Sequence, residues 1–239
     1  MWILTIILIF VFAIAGFFGS QPIFRLEQLT PQRVINSALL VMVIFTILMI
    51  AYVLDVFPQS VAAPFMMIVY TLIAGFFIGY AYRQLKARSD GGDILYQHRT
   101  FWVDFAPHIF AILLILYGLY RTALLSDLPV TGIRLTSGFS LIAFGLFGWT
   151  LKLVPEFRSK GVLFLDNLVE WKTVIAWGWH NEDVIMIEYI DPKKEKGNRI
   201  KQFVTSIPED DRKEIEVVLK SKMDEYAEAR KEIMMPEED

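Results

Sequence analysis

Five apolar runs, each about long enough to cross a lipid bilayer as a helix, fill the first 154 residues: Ile3–Gly19, Val34–Leu54, Ala63–Tyr82, His108–Leu125 and Leu135–Val154. A hydrocarbon core about 30 Å thick takes roughly 20 apolar residues in helical form, and a helix satisfies its own backbone polar groups where no water is present. The runs predict a membrane α-helical bundle of about five transmembrane helices over residues 1–154, with residues 155–239 as a separate domain. Gln21-Pro22, Thr30-Pro31, Pro58, Asp90-Gly91-Gly92, Pro107, Pro129 and Pro155 mark the breaks. A missing N–H or a flexible backbone costs least there. Met1 is followed at once by apolar residues with no basic stretch, so the first helix is expected to be retained and not cleaved as a signal peptide.

Charge divides the chain at the same place. Residues 1–154 hold 9 of the 23 Lys and Arg and 6 of the 26 Asp and Glu, against 14 and 20 in residues 155–239. No nucleic-acid partner is expected of so acidic a soluble part. Cysteine is absent, which excludes disulfides, thiolate metal sites and thiol nucleophiles. Arg25 and Arg33 follow the first run, Arg83, Lys86, Arg88 and Arg99 the third, and Lys152, Arg158 and Lys160 the fifth, whereas residues 55–62 and 126–133 hold no cation. Cytoplasmic loops carry the excess of Lys and Arg. The chain is therefore expected in the inner cell membrane, N-terminus outside and C-terminal domain cytoplasmic.

The middles of the runs hold nothing stronger than Thr5, Thr46, Thr71 and Ser140. Intramembrane charges mark proton relays and ion pathways, so their absence disfavours a proton-coupled pump or a transporter of charged substrates. Arg121 and Arg134 flank a loop beside Asp127 and read as snorkelling or locally paired groups. Gly75 and Gly79 form a GxxxG step, Ala15 and Gly19 a related one, and Gly138, Gly145 and Gly148 line the fifth run. Small residues at these spacings let helix backbones approach closely. Gly75 and Gly79 are also candidates for an interface with a membrane-protein partner or a second copy. Ile14-Ala15-Gly16-Phe17-Phe18 recurs as Ile73-Ala74-Gly75-Phe76-Phe77, and Ile44–Leu54 aligns with Ile109–Leu119. That pattern would make helices three and four a parallel copy of helices one and two.

In the loop from Arg83 to Ala106, the stretch Ile94–Phe105 interleaves aromatics with charges. It is expected to lie as a short helix in the headgroup layer, with Phe101 and Trp102 as interface anchors. His98, Asp104 and His108 are the one set of groups there able to hold a metal, but no second ligand set accompanies them. Neither a metal nor a cofactor is expected.

After Pro155 the period shortens. Phe157–Leu165, Val169–His180, Val184–Asp191 and Arg199–Ile207 read as a four-stranded antiparallel meander with turns at Asp166-Asn167 and Asn181-Glu182-Asp183. A helix is expected after Ser206, with Ser206 and Glu209 as a capping box, running to about Met234. Ile215, Val218, Leu219, Met223, Tyr226 and Ile233 give it one apolar stripe. Trp171, Ile175, Trp177 and Trp179 are expected to pack sheet against helix. Lys193 and Lys194 head a basic run that could touch anionic lipid. His180 has no nucleophile pattern around it, and the chain has no phosphate loop, dinucleotide fingerprint or zinc spacing.

The residues Arg158-x-Lys160-Gly161-Val162, then Val169-Glu170-Trp171-Lys172-x-Val174-Ile175 with Trp179, then Ile207-Pro208-Glu209-Asp210-Asp211-Arg212 opening a terminal helix, carry a resemblance. Residues 156–225 resemble the small PH-like domains at the C-terminus of bacterial multi-pass membrane proteins of unknown function. The resemblance implies a binding or scaffolding module and brings no catalytic residues. The expected function is a non-enzymatic membrane interaction subunit, docking a protein through the cytoplasmic PH-like domain and a membrane partner through its helices. The alternative is a small transporter or lipid-handling protein with a neutral or lipidic ligand in the bundle.

Overall fold

The computed structural model describes residues 2–24, 26, 30–98, 101–152, 154–191 and 200–234. Two compact units emerge, one from Met1–Leu85 with Asp104–Leu151, the other from Lys86–Val103 with Lys152–Asp239. The second unit is thus not residues 155–239 alone. It is assembled from two separated stretches of chain.

The first unit is helical: α1 (Trp2–Ser20), α2 (Pro31–Val53), most of α3 (Gln59–Gly91), α4 (Phe101–Arg121) and α5 (Gly132–Thr150). Thr30 and Thr131 cap α2 and α5, each hydroxyl accepting from the N–H three residues on, that of Arg33 and that of Arg134. Pro31 stands at the first helical position, where no N–H is needed. α1, α2 and α3 are long and apolar enough to cross a membrane. α4 offers a shorter apolar stretch, Phe105–Arg121, and α5 dilutes its apolar residues with Arg134 and several Gly, Ser and Thr. Among the described residues, three of the five expected crossing helices therefore meet the requirement of length and composition. α4 also starts earlier than expected, placing Pro107 inside the helix.

Small residues set the packing. α1 and α3 cross with Gly19 against the Phe76 backbone, Gly79 against Gly16 and Gly75 against Phe12, distances at which a Cβ would collide with backbone. The C-terminal ends of the two helices lie together, since the Arg83 guanidinium donates to the carbonyls of Gln21 and Phe24. α5 runs the same way along α3: Gly132 meets Met67 at one end, Phe77 meets Phe144 and Phe147 in the middle, and the Thr150 hydroxyl donates 2.5 Å to Gln84 Oε1 at the other. α4 opposes α5, with Gly118 facing Gly138, and Ala111 facing Gly145. No residue of α2 is buried.

The second unit holds two antiparallel sheets in place of the single four-stranded meander. The first has the order β1 (Ile94–Gln97), β2 (Glu156–Arg158), β3 (Gly161–Phe164), β4 (Asn167–Glu170); the second β5 (Val174–Trp179), β6 (Val184–Ile190), β7 (Ile200–Ser206). Each of the first two expected strands is broken. Ser159-Lys160 turns the chain between β2 and β3, and a 3-10 turn at Trp171–Thr173 separates β4 from β5. The β3–β4 hairpin turns at Leu165-Asp166, with Leu165 at φ 53°, so Asn167 already belongs to β4. The turn at Asn181–Asp183 lies where expected.

Strand β1 corrects the reading of the loop most directly. Residues 94–97 form no interfacial helix: Ile94 pairs with Arg158, Tyr96 with Phe157 and Gln97 with Glu156. α6 (Arg212–Glu225) and α7 (Ala227–Met234) replace one long helix, with the break at Tyr226. The capping box does not form. Ser206 Oγ instead donates to the Asp183 carboxylate, and Glu209–Asp211 is a 3-10 turn. Trp171, Phe157, Ile185, Ile187, Ile215 and Leu219 make the core, with Trp177, Trp179 and Phe203 against it. Within this core Arg158 joins elements: its Nε donates 2.8 Å to Glu156, and its Nη1 donates to the carbonyls of Arg88 and Gly92.

Candidate functional site

A cavity of about 470 Å³ lies between α1, α3 and α5. That volume lies in the range of small-molecule sites. From α1 come Thr5, Leu8, Ile9 and Phe12, and from α3 Thr71, Ala74 and Ile78. α5 completes the wall with Leu135, Thr136, Phe139, Ile142 and Ala143.

Helix geometry creates this space. α1 and α3 are pressed together where Gly16, Gly19, Gly75 and Gly79 meet, and the cavity lies beside this contact, toward α5. At the C-terminal end of the cavity Phe77 meets Phe144, and Tyr80 meets Phe147, edge to face, while Phe77 and Phe147 are tilted, with centroids 4.8 to 5.2 Å apart. Two of the hydroxyls in the wall are turned to their own helices: Thr71 donates 2.7 Å to the Met67 carbonyl and Thr136 donates 2.9 Å to that of Gly132. No titratable side chain lines the cavity. The wall can therefore exclude water and hold an apolar body, and it offers no group for proton transfer or nucleophilic attack.

Gly75 and Gly79, expected as candidates for a partner interface, face α1 within the unit. Phe101 and Trp102 are 60% and 77% exposed and meet edge to face. Lys193 and Lys194 lie outside the described residues. So does the side chain of Asp104, while the two histidines belong to different units. His98 Nδ1 stands 3.2 Å from Asp211 Oδ2, and the His108 ring meets Trp149 edge-on at 4.9 Å. Among the described residues no group of three His, Asp or Glu could hold a metal.

At the junction of β1 with the turn before α6, Tyr96 donates 2.6 Å to Asp211. This hydrogen bond, ahead of that from His98, holds the Asp211 carboxyl below the usual carboxylate range. Burial, followed by the same bond, pushes the Tyr96 hydroxyl well up. Sequence reading passed over both this junction and the cavity. The signal for the cavity was present as small or hydroxyl residues at 71, 74, 136 and 143, but each reads equally as ordinary helix packing.

Three helices long and apolar enough to cross a membrane, together with an α+β unit of antiparallel sheets, point to a membrane-associated protein. Residues 152–224 match the family described as a domain of unknown function, DUF5673, and the chain carries that domain at its C-terminus. The match takes in β2 to α6 and leaves β1 outside it. Neither the curated proteins nor the solved structures yield a match.

Proposed function

We propose that this is a non-enzymatic binding protein of the inner membrane, crossing the bilayer five times, that holds a neutral, lipidic ligand in its helical unit. The cavity carries the proposal: an apolar space of about 470 Å³ walled by three helices and free of titratable groups suits retention of such a ligand and suits no chemistry on it. Five crossings are supported by helix direction. α1, α3 and α5 run one way and α4 the other, as alternate passes do. The cation-rich connections fit an N-terminus outside and a cytoplasmic C-terminal domain. Purification of the full chain in mild detergent, with mass spectrometry of what stays bound, tests this reading. About one apolar molecule per chain is the expected result, and recovery of none would overturn it.

A second reading, the scaffold that docks a protein through a PH-like cytoplasmic domain, has its own support. Two antiparallel sheets closed by a C-terminal helix suit a PH-like module. On the outward face of its second sheet, Ile200 and Val204 are 61% and 54% exposed, paired with Ile190 and Met186 of β6. Ile200→Lys with Val204→Lys should then release a stoichiometric protein partner from the purified complex while leaving the thermal midpoint nearly unchanged, as surface substitutions do. A partner retained by that variant would sink the docking role of this face.

A further inference from the structure

Building on the ligand-binding reading, we infer that the cavity takes a hydrocarbon chain, entering from the leaflet in which α5 begins, and recognises the chain without its headgroup. Position gives the direction of entry. The wall on α1 runs from Thr5 to Phe12 and on α5 from Leu135 to Ala143, the latter starting within about a turn of the helix start at Gly132; Gly132 packs on Met67, so the α3 wall from Thr71 begins at the same level. At 1.5 Å per residue these stretches span about 10 to 12 Å, roughly a third of a hydrocarbon core 30 Å thick. An occupant therefore has its upper end near the lipid headgroups and its lower end near the bilayer middle, the depth that one chain of a leaflet lipid covers.

Closure at the lower end follows from packing. From the level of Ile78 and Ala143 downward, Gly79 meets the Gly16 backbone and the rings of Phe77, Phe144 and Phe147 pack between α3 and α5. Retention and not passage is therefore the behaviour expected of the site.

Chain selectivity follows from hydrogen bonding. A buried polar group of a ligand needs a partner, and burial without one is unfavourable. The Thr71 and Thr136 hydroxyls already donate to Met67 and Gly132. An alkyl chain asks for nothing more, whereas a ligand with polar groups along its length would lose its water without replacement. The same chain chemistry is supplied by a membrane phospholipid or by a free fatty acid.

The test uses the full-length protein in nanodiscs of phosphatidylethanolamine and phosphatidylglycerol. Two photoactivatable probes carry a diazirine at mid-chain, one a phospholipid and the other a free fatty acid, and labelled peptides are mapped by mass spectrometry. Label should fall on Thr5–Phe12, Thr71–Ile78 and Leu135–Ala143 and be competed by unlabelled lipid whatever its headgroup. The arm that labels identifies the source. α2, with no buried residue, reports contact with bulk lipid, and its labelling should resist competition.

Ala143→Phe, and independently Leu8→Trp at a less buried position, should lower cavity labelling about tenfold, equivalent to about 1.4 kcal/mol of binding, in protein that elutes as wild type. Gly148→Ala, outside the wall, should leave it unchanged. Cavity labelling that behaves as α2 does, or that survives both filling variants, would overturn the inference. A compact molecule co-purifying with wild type and lost in Ala143→Phe, without chain labelling, would overturn the chain and spare the ligand-binding reading. Loss of both signals would end both.

Discussion

The Tyr96 hydroxyl donates a 2.6 Å hydrogen bond to the Asp211 carboxylate, tying the strand that follows α3 to the turn that opens α6, 115 residues later. The bond needs Tyr96 protonated and works best with Asp211 ionised. Asp211 is held below its ordinary range, so its contribution is present above about pH 4 and fades as pH falls through the lowered value. Tyr96 is pushed above its ordinary range, so its contribution is full below about pH 10 and is lost as pH rises through the raised value. Tyr96→Phe should destabilise the α+β unit by about 1 kcal/mol near neutral pH. Chemical denaturation across pH should show that difference flat from about pH 5 to 9 and shrinking below it. A difference constant into acid would disconnect it from Asp211.

Because β1 pairs with β2 through Tyr96 and Phe157, residues 152–239 expressed alone leave one sheet without its edge strand and the core without Tyr96. That fragment should unfold at lower denaturant than one carrying residues 90–98 fused ahead of it by a flexible linker. Equal midpoints would mean that β1 contributes nothing to the unit.

The Trp171 ring is fully buried, and its Nε1 donates 2.8 Å to the Arg158 carbonyl. Trp171→Ala should lose roughly 3 to 5 kcal/mol, since truncation of a large aromatic leaves a cavity. A loss under about 1 kcal/mol in equilibrium unfolding would contradict the burial seen here.

Two glycines separate tight packing from loose. A methyl group at Gly79 meets the backbone of Gly16, whereas one at Gly148 meets only the Ala111 Cβ at 3.8 Å. Gly79→Ala should lower the thermal midpoint of the detergent-solubilised chain, with a cost of about 1 to 3 kcal/mol, while Gly148→Ala should be close to neutral. Similar midpoints for the two variants would place the α1–α3 contact elsewhere.

Since the chain has no cysteine, single cysteines at Ser60, Ser126 and Ser221 report on topology without background. The first two should react with a membrane-impermeant maleimide in intact cells, and the third only after permeabilisation. Outside labelling at Ser221 would invert the proposed orientation.

Much of the helical unit could be read along the chain because its determinants are local. Thr30-Pro31 starts α2 and Thr131 starts α5, and apolar runs of membrane length need no distant partner to be helical. The burial of Trp171, and the packing of the half-buried Trp177 and Trp179 against the core, followed in the same way, from alternation and a helical stripe. Tertiary structure decided what depends on pairing across the sequence. Ile94-Leu95-Tyr96-Gln97 reads equally as interfacial helix or edge strand, and only its ladder with residues 156–158 selects the strand. The break at Trp171–Thr173 arises because the Trp171 indole reaches back to Arg158, a contact without local signature. The cavity is decided likewise: Gly75 and Gly79 announce that α3 can be approached closely, but where α1 and α3 part, and whether α5 fills the gap, is set by side-chain volumes on three helices at once.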